Sequence, residues 1–269
     1  MDPSPLRDVL TVGLGVLTGM MSGAFGVGGA VLSTPGIRAL GATPIESVGS
    51  TLPSVLPSAI TGSLRYTREG LIDWHAVGLT TPAGVLAAVG GALLAPRIPG
   101  DGHPLMIITA ALLLFSGLRM IVRPQAPPPE PVDTSAAVAL HPHPLHHLTL
   151  PFIATGTLAG ALSGLLGIGG GVVLVPVFSQ WTGLPLKKAI ATSLVCVGLF
   201  AIPGTITHAI EGDINWRFAL LLCIGVVPGA RIGSALALRA ADHRLRLAVG
   251  IFLSVLAVIY GIGEILALT

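Results

Sequence analysis

Charge is what this chain has least of. Only 10% of its 269 residues are Asp, Glu, Lys or Arg, against about a quarter in soluble domains. A water-soluble globule is therefore excluded. The 14 Lys and Arg nearly cancel the 12 Asp and Glu, for a net +2. That balance gives no basic face for nucleic acid, so no nucleic-acid partner is expected. Cysteine is as scarce: Cys196 and Cys223 stand alone in apolar runs, which excludes a disulfide framework and a thiolate metal cage. The cluster His141, His143, His146 and His147 is interrupted by two prolines and has no Cys beside it, a poor ligand set. No metal and no other cofactor is expected. Nor does any span carry a nucleophile, a base and an orienting group together, so the chain does not read as an enzyme.

What the sequence does have is apolar length. Hydrophobic residues make up 52% and the mean hydropathy is +0.86. About 20 apolar residues cross a bilayer core of about 30 Å as a helix. Eight such runs occur, at about 9–41, 45–64, 76–96, 104–122, 148–181, 186–207, 217–238 and 246–268. They fall in two sets of four, which gives a first membrane repeat (1–123), a linker (124–147) and a second repeat (148–269). The linker, with APPPEP and HPHPLHH, is too rich in proline and polar groups to form a span.

The two sets are copies of one another. A shift of 141 residues places Gly15, Gly19, Ser22, Gly23, Gly26, Gly28, Gly29, Pro35 and Thr51 on Gly156, Gly160, Ser163, Gly164, Gly167, Gly169, Gly170, Pro176 and Thr192. With one residue inserted, Glu69, Gly70, Ile72 and Trp74 fall on Glu211, Gly212, Ile214 and Trp216. Duplication of this kind is how many transporters are built. It also makes the first run part of the fold rather than a cleaved signal segment.

The first and fifth runs are 33 and 34 residues long, with AFGVGG and LLGIGGG near their middles. A straight helix of that length would reach about 50 Å, too long for the bilayer. Each is therefore expected to be a broken or re-entrant helical hairpin that turns at its glycines and is followed by three transmembrane helices. With this odd number of crossings the second repeat is inverted. Arg65, Arg68, Arg119, Arg123, Lys187, Lys188, Arg239, Arg244 and Arg246 then share one face, opposite Arg7, Arg38, Arg97 and Arg217. By the positive-inside rule the linker is cytoplasmic and both termini lie outside, in a multi-pass membrane protein. The expected fold class is an all-α polytopic membrane protein of two inverted four-segment repeats.

Chemistry should collect where the glycine turns meet. Gly15, Gly19 and Gly23, with Gly156, Gly160 and Gly164, form GxxxG ladders that admit a close second helix. After each turn a short apolar segment begins, so free amides and helix N-termini could face an anion; packing alone is the competing reading. Ser47, Ser50, Thr51, Ser54, Ser58 and Thr61 recur at three- or four-residue spacing. They either line an aqueous path or bond their own helix carbonyls. Arg231 is the one Lys or Arg well inside an apolar run, where an unpaired cation costs at least about 2.5 kcal/mol. It either meets an anion or snorkels to the surface.

The motifs SGAFGVGGAVLSTP (22–35) and SGLLGIGGGVVLVP (163–176), with the loops EGLIDW and EGDINW, resemble the TauE/SafE family of membrane anion exporters. The resemblance covers both repeats. It implies export, or sometimes uptake, of sulfite, sulfonates and related small anions, with the bilayer and a small anion as partners and a second copy of the chain as a candidate one. The substrate-binding residues expected from the motifs and the reading above are Ser22, Gly23, Gly26, Gly28, Gly29, Ser50, Thr51, Ser163, Gly164, Gly167, Gly169, Gly170, Gly171, Thr192 and Arg231. Ala30 stands in the first motif where Gly171 stands in the second. The resulting expectation is an anion carrier working by alternating access; an anion channel or an uptake permease is the alternative.

Overall fold

The computed structural model describes residues 5–94, 103–122, 149–166 and 170–268. All ten elements among them are helices: α1 (Pro5–Phe25), α2 (Ala30–Ala39), α3 (Pro44–Arg68), α4 (Trp74–Leu94), α5 (His103–Val122), α6 (Thr149–Leu166), α7 (Gly171–Gln180), α8 (Leu186–Glu211), α9 (Trp216–Arg239) and α10 (Asp242–Leu268). Five stretches, Pro5–Phe25, Trp74–Leu94, Leu186–Glu211, Trp216–Arg239 and Asp242–Gly261, are long and apolar enough to cross a membrane. The linker, its histidines, Gly167, Gly169, Arg97 and Arg123 lie outside the described residues.

The two long runs each break into a long and a short helix. Their arms are unequal, which differs from a turn in mid-run. α1, at 21 residues, is about 31 Å long and spans alone. α2, at 10 residues, reaches about 15 Å and does not. α2 runs back along α1: Gly29 lies beside Thr18 and Ser22, and Gly36 beside Leu14. The break needs left-handed backbone at Gly26, Gly28 and Gly29, with φ of 70°, 87° and 73°, a region that only glycine enters without strain.

The glycine ladders do not pack their own hairpins. α1 lies parallel to α9, in the other half of the chain: a Cβ on Gly15 would stand 2.8 Å from the Leu222 carbonyl, and Gly19 and Gly23 sit as tightly on Val226 and Ala230. α9 answers with Gly225, Gly229 and Gly233 against Val12, Val16 and Met20. The second ladder repeats this, with α6 parallel to α4 and Gly156, Gly160 and Gly164 against Thr80, Gly84 and Ala88. Each half thus lends a helix to the other, and one core runs through both.

Corresponding helices of the two halves run antiparallel. Along α3 and α8, Gly62 meets Leu194, Ala59 meets Gly198 and Leu52 meets Gly204. Along α5 and α10, Gly117 meets Gly250 and Ser254, while Arg246 donates to the Met120 carbonyl at 2.8 Å. α3 itself lies parallel to α9, since Asn215 reaches Ser50 near one end and Arg65 borders a groove with Arg231 near the other. α3 is less apolar than the five spans because it carries Ser47, Ser50, Thr51, Ser54 and Ser58, yet all five of these residues are buried.

The bundle is charged unevenly. Arg65, Arg68, Arg119, Lys187, Lys188, Arg239, Arg244 and Arg246 sit on helix ends that meet at one pole, joined by Lys187 to the Leu238 carbonyl (3.2 Å) and to Asp242 (3.2 Å). Arg7, Arg38 and Arg217 occupy the other pole, where Arg217 grips Asp8 through two nitrogens and Arg7 lies 5.2 Å over the Phe218 ring. Trp74 and Trp216, both exposed, open α4 and α9 at opposite poles.

Two measurements check this arrangement. In a chain carrying Cys196→Ser and Cys223→Ser, Ala39→Cys and Glu69→Cys should react with an impermeant maleimide from opposite sides of sealed vesicles; labelling from one side would refute the topology. Gly19→Ala and Gly160→Ala should each lower stability in detergent by about 1–3 kcal/mol through overpacking. Gly13→Ala, with nothing within 4 Å of the added carbon, should leave it unchanged or raise it by about 0.5–1 kcal/mol.

Candidate functional site

The two glycine turns touch one another. A Cβ on Gly171 would stand 2.6 Å from the Gly26 carbonyl oxygen and 2.8 Å from the Val27 carbonyl carbon, and a Cβ on Gly26 would stand 2.7 Å from the Ile190 carbonyl oxygen. Two short helices therefore begin in one place. α2 starts after Gly29 (φ 73°) and α7 after Gly170 (φ 64°), and neither N-terminus is capped by a side chain. Because α1 runs against α6, α2 and α7 leave this centre in opposite directions. Ala30, Val31 and the first six residues of α7 are buried. Two positive helix ends are thus brought nose to nose in an apolar interior, where their fields add.

The carbonyls around the first turn are occupied. Tyr66 donates to the Gly23 oxygen at 2.7 Å, Ser193 to the Gly26 oxygen at 2.9 Å and Tyr260 to the Val31 oxygen at 2.9 Å. These hydroxyls come from α3, α8 and α10, so both halves fix the same hairpin. Ser22, by contrast, is completely buried and its Oγ has no hydrogen-bond partner. Its Cβ lies 3.5 Å from where a Cβ of Gly29 would be. A buried hydroxyl left unpaired costs about 1–3 kcal/mol, and here it sits against the uncapped end of α2.

The expected site residues that the structure describes divide into five groups. Ser22, Gly23, Gly26, Gly28, Gly29, Gly170 and Gly171 are gathered at the centre. Ser163 and Gly164 lie on the seam between α6 and α4, with Gly164 against Ala88. Ser50 and Thr192 serve the loops: Ser50 accepts from the Asn215 N–H at 2.9 Å and Thr192 from the Asp73 N–H at 3.0 Å. Thr51 bonds the Ser47 and Val48 carbonyls and Thr34. Arg231 is exposed in an outer groove with Arg65 and Arg239, none of the turn glycines lining it.

The hydroxyl stripe on α3 is no open channel wall. Ser47, Thr51 and Ser54 donate to carbonyls of their own helix or its cap at 2.7–2.9 Å. Both EG loops reach across to a helix of the other half, which explains why they are duplicated. Ser193 and Tyr260 were invisible from the motifs, since nothing in their spacing sets them apart. The scarcity of tyrosine, two in the chain, was the one signal. At the far end of α8, His208 Nδ1 lies 3.1 Å from Asp213 and 4.0 Å from Glu211, a contact that ties the loop to the helix it follows.

A duplicated helical bundle whose broken helices meet at its centre belongs to the architecture of membrane transporters. The sequence matches the family described as Sulfite exporter TauE/SafE over residues 11–260, and the chain belongs to that family. It is similar to a "Probable membrane transporter protein" of Xylella fastidiosa, 29% identical and covering 93% of each chain. It also resembles the "Probable membrane transporter protein YunE" of Bacillus subtilis, 25% identical over 85% of this chain and 88% of the relative. With MamO of Magnetospirillum gryphiswaldense the identity is 27% over 87% of this chain but 41% of that protein. No solved structure matches. The protein is a multi-pass membrane transporter.

Ser193→Ala would strip the Gly26 carbonyl of its partner while leaving it buried. The expected loss is about 1–3 kcal/mol, read as a lower unfolding temperature in detergent; an unchanged temperature would show that the bond does not hold the turn.

Proposed function

We propose that the protein carries a small oxyanion such as sulfite or an organosulfonate across the cytoplasmic membrane, at the centre where the two glycine turns meet. The observation that carries this reading is the pairing of two uncapped, buried helix N-termini beside the orphan hydroxyl of Ser22. Main-chain amides at a helix start bind anions without a cationic side chain. Such a site also avoids the cost of holding an arginine in the membrane when empty. Ser22, Gly26, Gly28, Gly29, Gly170 and Gly171 form the core of the proposed site, with Gly167 and Gly169 as the matching positions of the second turn.

The repeats are read as inverted, with the basic pole cytoplasmic by the positive-inside rule. Alternating access then follows from symmetry. On this reading the buried residues of the centre correspond to the occluded stage. Opening toward either side exchanges the roles of the α1–α2 and α6–α7 hairpins. The glycine seams α1–α9 and α4–α6 are the surfaces along which each hairpin slides. Export of an anion from a negative-inside cell is favoured by about 2.3 kcal/mol per charge per 100 mV, so no coupling carboxylate is required.

Proteoliposomes loaded with sulfite test the proposal. The wild type should release it with saturating, counterion-exchangeable kinetics, and Gly171→Val should abolish flux because its side chain enters the opposing turn. Ser22→Ala should slow flux about tenfold while keeping the fold. Flux without saturation, or discrete single-channel currents, would favour an anion channel instead. Wild-type flux from Gly171→Val would refute the site.

A further inference from the structure

Three arginines take no part in the packing described above. The C-terminal thirds of the parallel helices α3 and α9 flank a groove of about 370 Å³ lined by Arg65, Arg231, Ile232, Ala235, Leu236 and Arg239. Arg65, Arg231 and Arg239 are all exposed, and none forms an ion pair among the described residues. The outward stripe of α9 is otherwise aliphatic, with Leu220, Ile224, Ile232 and Leu236 exposed. Arg231 and Arg239 lie on that stripe eight residues apart, about 12 Å along the axis.

Arg65 and Arg239 mark the pole where the basic residues collect, and Arg231 lies about two turns deeper. An occupant must bring negative charge to the three guanidinium groups and apolar surface to Ile232, Ala235 and Leu236. A soluble anion answers the first demand but leaves the aliphatic floor uncovered. A lipid with an anionic head answers both, and it is the solvent of this surface. Guanidinium groups bind phosphate oxygens in pairs, and basic pockets between membrane helices are suited to lipid headgroups.

We propose that this groove is a binding site for the phosphate headgroup of an anionic phospholipid in the leaflet at the basic pole. Its acyl chains lie along Ile232 and Leu236. Arg231 is then neutralised at its depth by the lipid and holds the α3–α9 pair to the bilayer.

Native mass spectrometry of the purified full-length protein tests this, titrating phosphatidylglycerol against phosphatidylcholine. The wild type should retain phosphatidylglycerol preferentially, and each arginine changed to glutamine should weaken that retention about fivefold. Arg231→Lys, which keeps the charge but not the paired hydrogen bonds, should retain more lipid than Arg231→Gln and less than the wild type. Wild-type retention by the Arg65→Gln, Arg231→Gln, Arg239→Gln triple variant would overturn the proposal. So would displacement of the lipid by inorganic phosphate or sulfite at equal concentration, which would mark a soluble-anion site. If the triple variant does not fold, the Arg65→Gln, Arg239→Gln pair, both near helix ends, gives the same reading. Because binding is the readout, the result stands apart from whether the central site carries sulfite.

Discussion

Backbone touching backbone holds this molecule together. In lipid, helices gain little from hiding apolar side chains, because the tails outside are as apolar as the core; close contact of main chains takes over. Here the longest such contacts are made across the duplication, α1 with α9 and α6 with α4. The glycines on both faces of each seam leave no room for a single methyl group.

The centre follows from those seams. With α1 and α6 drawn against the opposite half, their broken ends are delivered to the same point, and α2 and α7 start from it in opposite directions. Hydroxyls from α3, α8 and α10 occupy the carbonyls at Gly23, Gly26 and Val31, so that side chains of both halves fix the first turn. The selectivity of the site proposed at this centre would rest on charge and size. Ala30, facing the position that Gly171 holds in the second motif, adds one methyl group to one side of an otherwise repeated pair.

Much of this was legible in the residues. Eight apolar runs, their duplication and the glycine breaks follow from hydropathy and spacing, because a bilayer punishes any exposed amide and leaves helices as the only economical solution. The division of Lys and Arg between two poles also emerged, since it needs only a count of crossings. What stayed hidden was partner choice. A GxxxG ladder announces a close neighbour and says nothing about which helix supplies it. The hydroxyls of α3 illustrate the same limit: their periodicity located one face, while only the packing showed that Ser50 holds a distant loop and that the Ser58 hydroxyl has no partner. Arg231 was conspicuous by its position in an apolar run, yet its company, Arg65 and Arg239, depends on α3 and α9 lying parallel.

The crossed seams bear on how the protein is made. The last residue of α1 and the first of α9 are separated by the chain from Phe25 to Trp216, so the most intimate contact in the bundle joins segments synthesised far apart in time. Until α9 arrives, α1 waits in the bilayer with its glycine face covered only by lipid. Neither half can complete its interior alone. Closure of this seam therefore waits for the second half, and a chain interrupted after the linker would leave a ladder without its rail.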